Sequence, residues 1–420
     1  MPTLNASRRQ FLATGAAAAA TIPFSQLAAA QGAAWSVDDA LLADIPKIME
    51  DEVLPGLALA EVIDGAVART EYFGLTSVVT KEPVSRHTLF QAASLSKPAF
   101  AYVVLKLAEQ GRFDLDRPLA RYLRPDDFPA HRWIDLITAR HVLMHTSGLP
   151  NWRDGVGGDL TPAFEPGTDW RYSGEGFVWL QRVIESELGT GLAAFMRERL
   201  LDPAGMTRST YGWTPERGIF ETYGHRIDES GAPYVNPLQL RRELGTRYEA
   251  VAARWGTSIE SWTYEDVTRA LAEMPPHTNP RVADLSLETI SLPGNVLPNA
   301  AGSLAAPVAD YARFLALMMP QERPAEWQLS EAGRRAMLER RFTKNTPALG
   351  WGLGWGLEAT AIGPIFYHTG NNGGIFRSLV LGDAARRRGL VLFANGERGN
   401  VVAQRIAARY TGLALIGIED

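Results

Sequence analysis

Apolar strand patterns occur near both ends of this chain, and helical patterns fill the region between them. Residues 57–63 lead into Asp64-Gly65, a favoured two-residue hairpin turn, and a second strand follows it. Consecutive strands are also predicted near the other end, at Gly350 to Glu358, Ile365 to His368, Ile375 to Leu381 and Gly389 to Ala394. This arrangement predicts an α+β sandwich: one antiparallel sheet built from both chain ends, flanked by helices, with an inserted mainly helical part.

We expect one large domain over residues 35–420, because both ends contribute to the same sheet. Its sheet part combines residues 35–110 with 300–420, and its helical part covers residues 111–299. Within the helical part, residues 211–298 have an irregular pattern rich in Trp, Tyr, Arg and Pro. This segment is predicted to be an insertion that either walls a cleft or decorates the surface.

The first 30 residues have the composition of an export signal. Paired arginines at 7–12 (Ser-Arg-Arg-Gln-Phe-Leu) precede an apolar run at 13–22 and small residues at 28–30. This order predicts a twin-arginine-type signal peptide over residues 1–30, and therefore a periplasmic or secreted protein. The alternative is an Ala-rich membrane anchor, but the run is short for a span of about 20 apolar residues. No later segment predicts a membrane span.

Composition excludes several classes of function. The chain of 420 residues has no cysteine, which removes disulfides, thiol catalysis and Cys-ligated metal sites. Its formal net charge of -5 gives no support for a nucleic-acid partner. The hydrophobic content of 46% is ordinary for a globular protein. Oligomeric state is not predicted by any pattern in the sequence.

A serine and a lysine stand three residues apart at 94–97 (Ser-Leu-Ser-Lys), where a helical pattern begins. Side chains three apart share a helix face, so the amine of Lys97 can take the proton of the Ser94 hydroxyl. The N-terminus of a helix also offers free backbone N–H groups and a dipole that favours developing negative charge. In the alternative interpretation, Ser94 caps the helix and Lys97 is solvated.

Two later segments supply other groups that an acyl-transfer site needs. Tyr172 follows a loop that leads into a helix, and its hydroxyl is a candidate second proton carrier. Residues 368–370 (His-Thr-Gly) end a predicted strand, where a backbone N–H could face that of Ser94 and complete a two-donor oxyanion hole. The alternatives are a packed structural tyrosine and a Gly-rich hairpin with a structural histidine.

In this order, the motifs at 94–97, 172–174 and 368–370 resemble those of the serine β-lactamase and penicillin-binding-protein superfamily. The resemblance is greatest to class C β-lactamases and to the related esterases and D-amino-acid peptidases (aminopeptidases and carboxypeptidases). It implies an acyl-enzyme mechanism that needs no metal or organic cofactor. The residues that it implicates are Ser94, Lys97 and Tyr172 as catalytic groups, the backbone N–H groups of Ser94 and Asn371 as oxyanion hole, and His368, Thr369, Gly370 and Gly174 on the substrate side. It leaves open whether the lysine or the tyrosine is the general base.

At two positions the sequence departs from the pattern of that superfamily. Gly174 stands where β-lactamases and penicillin-binding proteins have an Asn that helps hold the substrate amide and the lysine. His368 stands where they have a Lys that helps bind the β-lactam carboxylate. Both changes favour an exported esterase or an amide or peptide hydrolase, acting on a small-molecule ester, amide or peptide. The alternatives are a true β-lactamase or D,D-carboxypeptidase, an acyltransferase, and a catalytically silent protein that binds cell-wall peptides.

Overall fold

A computed structural model describes residues 35–154, 157–274 and 297–418 of the protein. The predicted signal peptide, residues 1–30, lies outside the described residues. The strands are β1 (Gly56–Ile63), β2 (Ala66–Gly74), β3 (Phe90–Gln91), β4 (His225–Ile227), β5 (Pro233–Val235), β6 (Ala305–Ala306), β7 (Phe342–Thr343), β8 (Leu349–Trp351), β9 (Gly356–Thr360), β10 (Gly363–Asn372), β11 (Phe376–Asp383) and β12 (Arg388–Ala394). The α-helices are α1 (Asp39–Asp51), α2 (Ser96–Glu109), α3 (Ala139–Leu143), α4 (Gly174–Leu188), α5 (Leu192–Met196), α6 (Pro215–Gly218), α7 (Leu240–Trp255), α8 (Tyr264–Ala272), α9 (Val308–Leu317), α10 (Glu331–Leu338) and α11 (Gly399–Thr411).

Eight strands form one antiparallel sheet in the order β2-β1-β12-β11-β10-β9-β8-β7. Strand β1 from the N-terminal part pairs with β12 from the C-terminal part, with Leu57 opposite Ala394 and Ile63 opposite Arg388. Both chain ends therefore build the same sheet, and the mainly helical region lies between them in the sequence. The predicted α+β fold is confirmed, and the division into parts stays a prediction.

Alternation along the strands separates two hydrophobic layers. On β1, Leu57 and Leu59 face a layer that helices α1 and α11 complete. Ala58 and Ala60, which alternate with them, face the larger core that includes α2 and α9. Helix α2 is buried along most of its length, so it forms the centre of this core and fixes the residues at its N-terminus.

Two strand predictions were wrong in their bounds. The segment predicted as one strand over Gly350 to Glu358 is a hairpin, because Gly354, with φ 87°, turns the chain between β8 and β9. Strand β10 extends to Asn372, which lies opposite Phe376 of β11. His368 to Gly370 therefore lie inside a strand and not at its end. The predicted hairpin at Asp64-Gly65 is confirmed, and both of its turn residues have positive φ.

The segment that the sequence left as irregular, residues 211–298, contains regular structure in its described portion. Strands β4 and β5 pair as a hairpin, and α7 and α8 follow. Leu244, Tyr248 and Val251 keep helical spacing on α7 and join a small apolar cluster with Trp262 of the loop before α8. Because arginines and aromatic residues are frequent in this segment, the helical spacing of its apolar residues was not recognised in the sequence.

Candidate active site

Ser94 lies in the turn that precedes helix α2. A 3₁₀ turn over Ala93–Leu95 passes directly into the helix. Ala93 has φ 50°, in the left-handed region that side chains other than glycine rarely adopt. This backbone leaves Ser94 half-buried at the N-terminal end of α2, where the sequence placed it.

Three hydroxyl groups hold this turn in place. Ser96 Oγ donates to the carbonyl oxygen of Ala93 at 2.6 Å. Tyr211 donates to the carbonyl oxygen of Ser96 at 2.9 Å, and Tyr311 donates to that of Leu95 at 2.8 Å. Both tyrosines are fully buried. The turn is therefore anchored from two segments that are more than a hundred residues away in the sequence.

The amine of Lys97 lies beside the hydroxyl of Ser94. Its Nζ atom is 3.0 Å from Ser94 Oγ and donates to the carbonyl oxygen of Ala301 at 2.7 Å. The side chain is 1% exposed, and this burial lowers the pKa of Lys97 to about 7. Near neutral pH, a large share of Lys97 is therefore uncharged and able to accept a proton.

Tyr172 completes a triangle of polar side chains with Ser94 and Lys97. It is followed by Ser173, whose side chain caps the N-terminus of α4. The Nζ atom of Lys97 lies 4.7 Å from the centre of the Tyr172 ring. Burial raises the pKa of Tyr172 above its ordinary value of 10, and a hydrogen bond with Ser94 offsets only part of this rise. The phenol is therefore protonated at neutral pH.

His145 packs against Tyr172 from behind. The two ring centres are 4.2 Å apart, and the backbone N–H of Ser173 donates to His145 Nδ1 at 3.0 Å. Burial lowers the pKa of His145 well below its ordinary value, so the ring is neutral and carries its proton on Nε2. The ring therefore helps to position the segment that carries Tyr172.

His368 is buried next to the same tyrosine. Its ring centre lies 6.2 Å from that of Tyr172 and 5.6 Å from that of Trp351. The Nδ1–H group donates to the carbonyl oxygen of Thr369 at 2.7 Å. Burial, together with the charge of Lys97, lowers the pKa of His368 to about 3. The imidazole is therefore neutral, and it supplies no positive charge to the site.

Strand β10 passes close to the turn that carries Ser94. A β-carbon on Gly370 would lie 2.0 Å from Ser378 Oγ and 2.8 Å from the carbonyl oxygen of Ala92. Ser378 Oγ donates to that same carbonyl at 2.8 Å. Only glycine fits between the strand and the turn. The next residue of the strand, Asn371, lines the same cavity as Ser94.

A cavity of about 380 Å³ opens beside Ser94. Of the residues that the sequence predicted for the site, Ser94 and Asn371 line its wall. His368 and Gly174 lie behind the wall, because the first is buried among aromatic rings and the second is covered by the indole of Trp152. Thr369 and Gly370 line a small cleft between the sheet and α11 instead. The structure thus assembles Ser94, Lys97 and Tyr172 in contact, with the other predicted residues around them.

Several contributors to the site were missed from the sequence. Ala301, Trp152 and Trp351 are hydrophobic or small residues without a recognisable motif role, and their contribution depends on packing. Ala301 contributes a backbone carbonyl oxygen, and no local sequence pattern indicates that this oxygen accepts from Lys97. Side chains from residues 226–241 line part of the cavity. A cleft wall was one of the two alternatives predicted for segment 211–298.

Two further observations concern the part of the chain that the structure describes. No group of three or more His, Asp or Glu side chains in it is arranged to hold a metal ion. None of its helices combines the length and the apolar character that crossing a membrane requires.

Comparison with known proteins places this geometry in a family. The profile of the family named Beta-lactamase matches residues 41–414. Penicillin-binding protein 4* of Bacillus subtilis (strain 168) is 34% identical over 191 residues, which cover 40% of this chain and 41% of that protein. Esterase EstB of Burkholderia gladioli is 31% identical over 207 residues, which cover 41% of this chain and 52% of that protein. The chain thus spans about half the length of the curated relatives it matches.

The fold has solved counterparts. The crystal structure of a β-lactamase/D-alanine carboxypeptidase from Pseudomonas syringae superposes with a TM-score of 0.63 at 17% identity, covering 88% of this chain and 97% of that one. At this identity the likeness establishes the fold alone. The family profile, in contrast, covers nearly all of the described residues. The chain therefore belongs to the β-lactamase family, a family of serine hydrolases with the β-lactamase and penicillin-binding-protein fold.

Proposed function

We propose that this protein is a serine hydrolase that forms an acyl-enzyme on Ser94 and cleaves small-molecule ester, amide or peptide bonds. The observation that carries this proposal is the contact between Ser94 Oγ and a buried Lys97 Nζ at 3.0 Å. A serine becomes a nucleophile when a neighbouring base takes its proton. Burial supplies such a base, because it lowers the pKa of Lys97 to about 7.

In the proposed acylation, Lys97 is the general base and Tyr172 is the general acid. The Ser94 proton moves to Lys97 Nζ as Ser94 Oγ bonds to the substrate carbonyl carbon. When the tetrahedral intermediate collapses, the bond to the leaving group breaks, and the leaving atom takes the Tyr172 proton. Lys97 then returns a proton to Tyr172. The raised pKa of Tyr172 supports this assignment, because it keeps the phenol protonated.

The negative charge of the intermediate is stabilised by backbone N–H groups. Ser94 and Asn371 are the proposed donors, and the proposal is supported by their position on one cavity wall. The N-terminus of α2 adds a favourable dipole at the same place. In deacylation, water gives a proton to Lys97 and its oxygen bonds to the acyl carbon. The bond to Ser94 then breaks, and Ser94 Oγ recovers the proton from Lys97.

Two observations favour esters and simple amides over β-lactams. His368 is neutral because its pKa is lowered to about 3, so it offers no cation for a β-lactam carboxylate. Residue 174 has no side chain, and the indole of Trp152 fills the space where one would lie. The groups expected to hold a β-lactam substrate are therefore absent at the two positions where the superfamily has them.

The proposed place of action is outside the cytoplasm, as the twin-arginine pattern near residues 8–9 suggests. Fractionation of cells that express the full chain tests this part alone. We expect the protein in the periplasm or medium, and an Arg8→Lys/Arg9→Lys variant in the cytoplasm. Equal export of both would contradict a twin-arginine signal.

The test of the proposed function is hydrolysis by wild type and Ser94→Ala. Wild type is expected to hydrolyse p-nitrophenyl esters, and Ser94→Ala is expected to lose this activity while its circular dichroism spectrum is unchanged. Turnover that survives in Ser94→Ala refutes the role of Ser94. The same assay with a cephalosporin, a D-alanyl peptide and an added alcohol acceptor tests the β-lactamase, carboxypeptidase and acyltransferase alternatives.

A further inference from the structure

The cavity beside Ser94 has an apolar wall on the side of the insertion. Leu238 precedes α7 and Leu240 is the first residue of that helix, whereas Ile375 and Phe376 come from the turn and strand after β10. Trp152, in the loop before α4, also lines this wall. A volume of about 380 Å³ is in the range of small-molecule sites.

Polar side chains of the same cavity already have partners in the protein. Asn372 Nδ2 donates to Gln91 Oε1 at 3.0 Å and to the carbonyl oxygen of Gly302 at 3.1 Å. Asn151 Oδ1 accepts from the backbone N–H of Gly174 at 3.0 Å. Arg226 lies 3.4 Å from Glu397 and also donates to the carbonyl oxygen of Gly373. A ligand in this cavity therefore meets polar groups that are engaged elsewhere, beside the apolar side chains that line the same cavity.

Trp152 and Gly174 determine the shape of the cavity together. A β-carbon on Gly174 would lie 2.3 Å from Cη2 of the indole, a separation that real β-carbons do not show. The indole thus fills the space that a side chain at residue 174 would need. Trp152 is half-buried and presents an aromatic surface to the cavity.

We propose that this cavity is the acyl subsite, that it takes a branched aliphatic or phenyl-sized apolar group, and that Trp152 sets the size limit. The proposal rests on the proposed function, since the acyl group is the part of the substrate that stays on Ser94. Burial of each additional methylene against this wall favours the substrate by about fourfold in kcat/KM until the cavity is full.

The first experiment compares kcat/KM for p-nitrophenyl esters of increasing acyl length in wild type, Trp152→Ala and Trp133→Ala. Trp133 is a matched control, because it is also half-buried but does not line the cavity. Wild type and Trp133→Ala are expected to prefer the same intermediate acyl chain. In Trp152→Ala, the preferred chain is expected to be longer by several methylenes. Parallel profiles in all three proteins would overturn the proposal.

A second series keeps the acetyl group and varies the alcohol. The acyl assignment is supported if kcat/KM is the same for all alcohols in this series but changes steeply with acyl length in the first series. The reverse pattern would place the apolar group on the leaving side and overturn it. Labelling of wild type by a fluorophosphonate distinguishes the proposed nucleophile from the proposed subsite. If Ser94 is not labelled, its role as nucleophile is contradicted. If Ser94 is labelled but kcat/KM does not depend on acyl length, only the acyl subsite is contradicted.

A third experiment tests the space-filling relationship directly. Gly174→Asn is expected to lower Tm by several degrees and to reduce ester hydrolysis, because its side chain collides with the indole. The double variant Trp152→Ala/Gly174→Asn is expected to recover Tm toward that of Trp152→Ala. If Gly174→Asn has wild-type Tm and a wild-type acyl profile, the indole does not limit this space and the proposal is wrong.

Discussion

Lys97 Nζ donates to the carbonyl oxygen of Ala301 at 2.7 Å, across 204 residues of sequence. The bond orients the amine toward Ser94 Oγ, which is 3.0 Å away. Ala301 belongs to the loop before β6, so the position of the proposed base depends on how that loop is held. Arg241 of α7 in turn donates to the carbonyl oxygen of Ser303 in the same loop.

The first prediction concerns pH. Below pH 7, the amine of Lys97 is mostly protonated and cannot accept the Ser94 proton, whereas above this pH the amine is mostly uncharged and can accept it. We therefore expect kcat/KM for a p-nitrophenyl ester to rise about tenfold per pH unit below pH 7 and to level off above it. A pH profile from 5 to 9 measures this. A flat profile over that range would contradict Lys97 as the base.

The second prediction separates the roles of Lys97 and Tyr172. Tyr172→Phe removes only the hydroxyl, so the fold is retained, and kcat is expected to fall by about 10²–10⁴. Because the raised pKa of Tyr172 keeps it protonated in this range, the ascending limb of the pH profile should stay near pH 7. If the limb disappears in this variant, the tyrosine and not the lysine is the base.

The third prediction concerns the buried pair formed by Glu221 and Arg241. Glu221 Oε1 is 3.2 Å from Arg241 Nε and accepts from Gln91 at 3.1 Å, while Arg241 donates to the carbonyl oxygen of Ser303. Glu221→Gln leaves a buried guanidinium uncompensated, so we expect a loss of about 3–5 kcal/mol in the free energy of unfolding.

Urea unfolding measures this loss, with Asp44→Asn as the matched control. Asp44 pairs with Arg409, but both side chains are about half exposed, so its substitution should cost about 1 kcal/mol or less. Equal effects of the two substitutions would contradict a structural role of the buried pair. Glu221→Gln should also lower kcat for the ester, because the loop that contains Ala301 loses a support.

The fourth prediction concerns the close approach of strand β10. Gly370→Ala would bring a β-carbon to 2.0 Å from Ser378 Oγ and 2.8 Å from the carbonyl oxygen of Ala92. The strand must move away from the Ser94 turn, which displaces the proposed donor Asn371, and kcat is expected to fall on the order of 100-fold.

Gly212→Ala is the control for that substitution. Its β-carbon would meet no atom closer than 3.9 Å, so activity should stay within a few-fold of wild type. Steady-state kinetics on both variants gives the comparison. A Gly370→Ala enzyme with wild-type kcat would show that the oxyanion is held elsewhere.

The sequence predicted the parts of the site that depend on local spacing. Ser94 and Lys97 are three residues apart, and a helix start was enough to bring them together. The order of strands at the two chain ends likewise predicted a shared sheet, because strands from both ends need partners. The bounds of β10 were missed because its extension to Asn372 is stabilised by pairing with β11, which no local pattern reports.

The rest of the site depends on packing between distant segments. Gly174 was visible as a departure from the family pattern, but its reason lies in Trp152, whose indole occupies the adjacent space. His368 was expected to face the substrate, and its burial behind the cavity wall follows from its contacts with Tyr172 and Trp351. The contact of Trp152 with Gly174 and the contacts of His368 with Tyr172 and Trp351 join distant segments, so residue spacing in the sequence does not predict them.

The most direct measurement of the central claim is the mass of a trapped acyl-enzyme. Wild type is mixed with a p-nitrophenyl ester, quenched in acid within milliseconds, digested, and analysed by mass spectrometry. The account predicts that the mass of the acyl group is added to the peptide that contains Ser94, and that Ser94→Ala shows no such adduct. An adduct on another residue, or hydrolysis by Ser94→Ala at the wild-type rate, would contradict it.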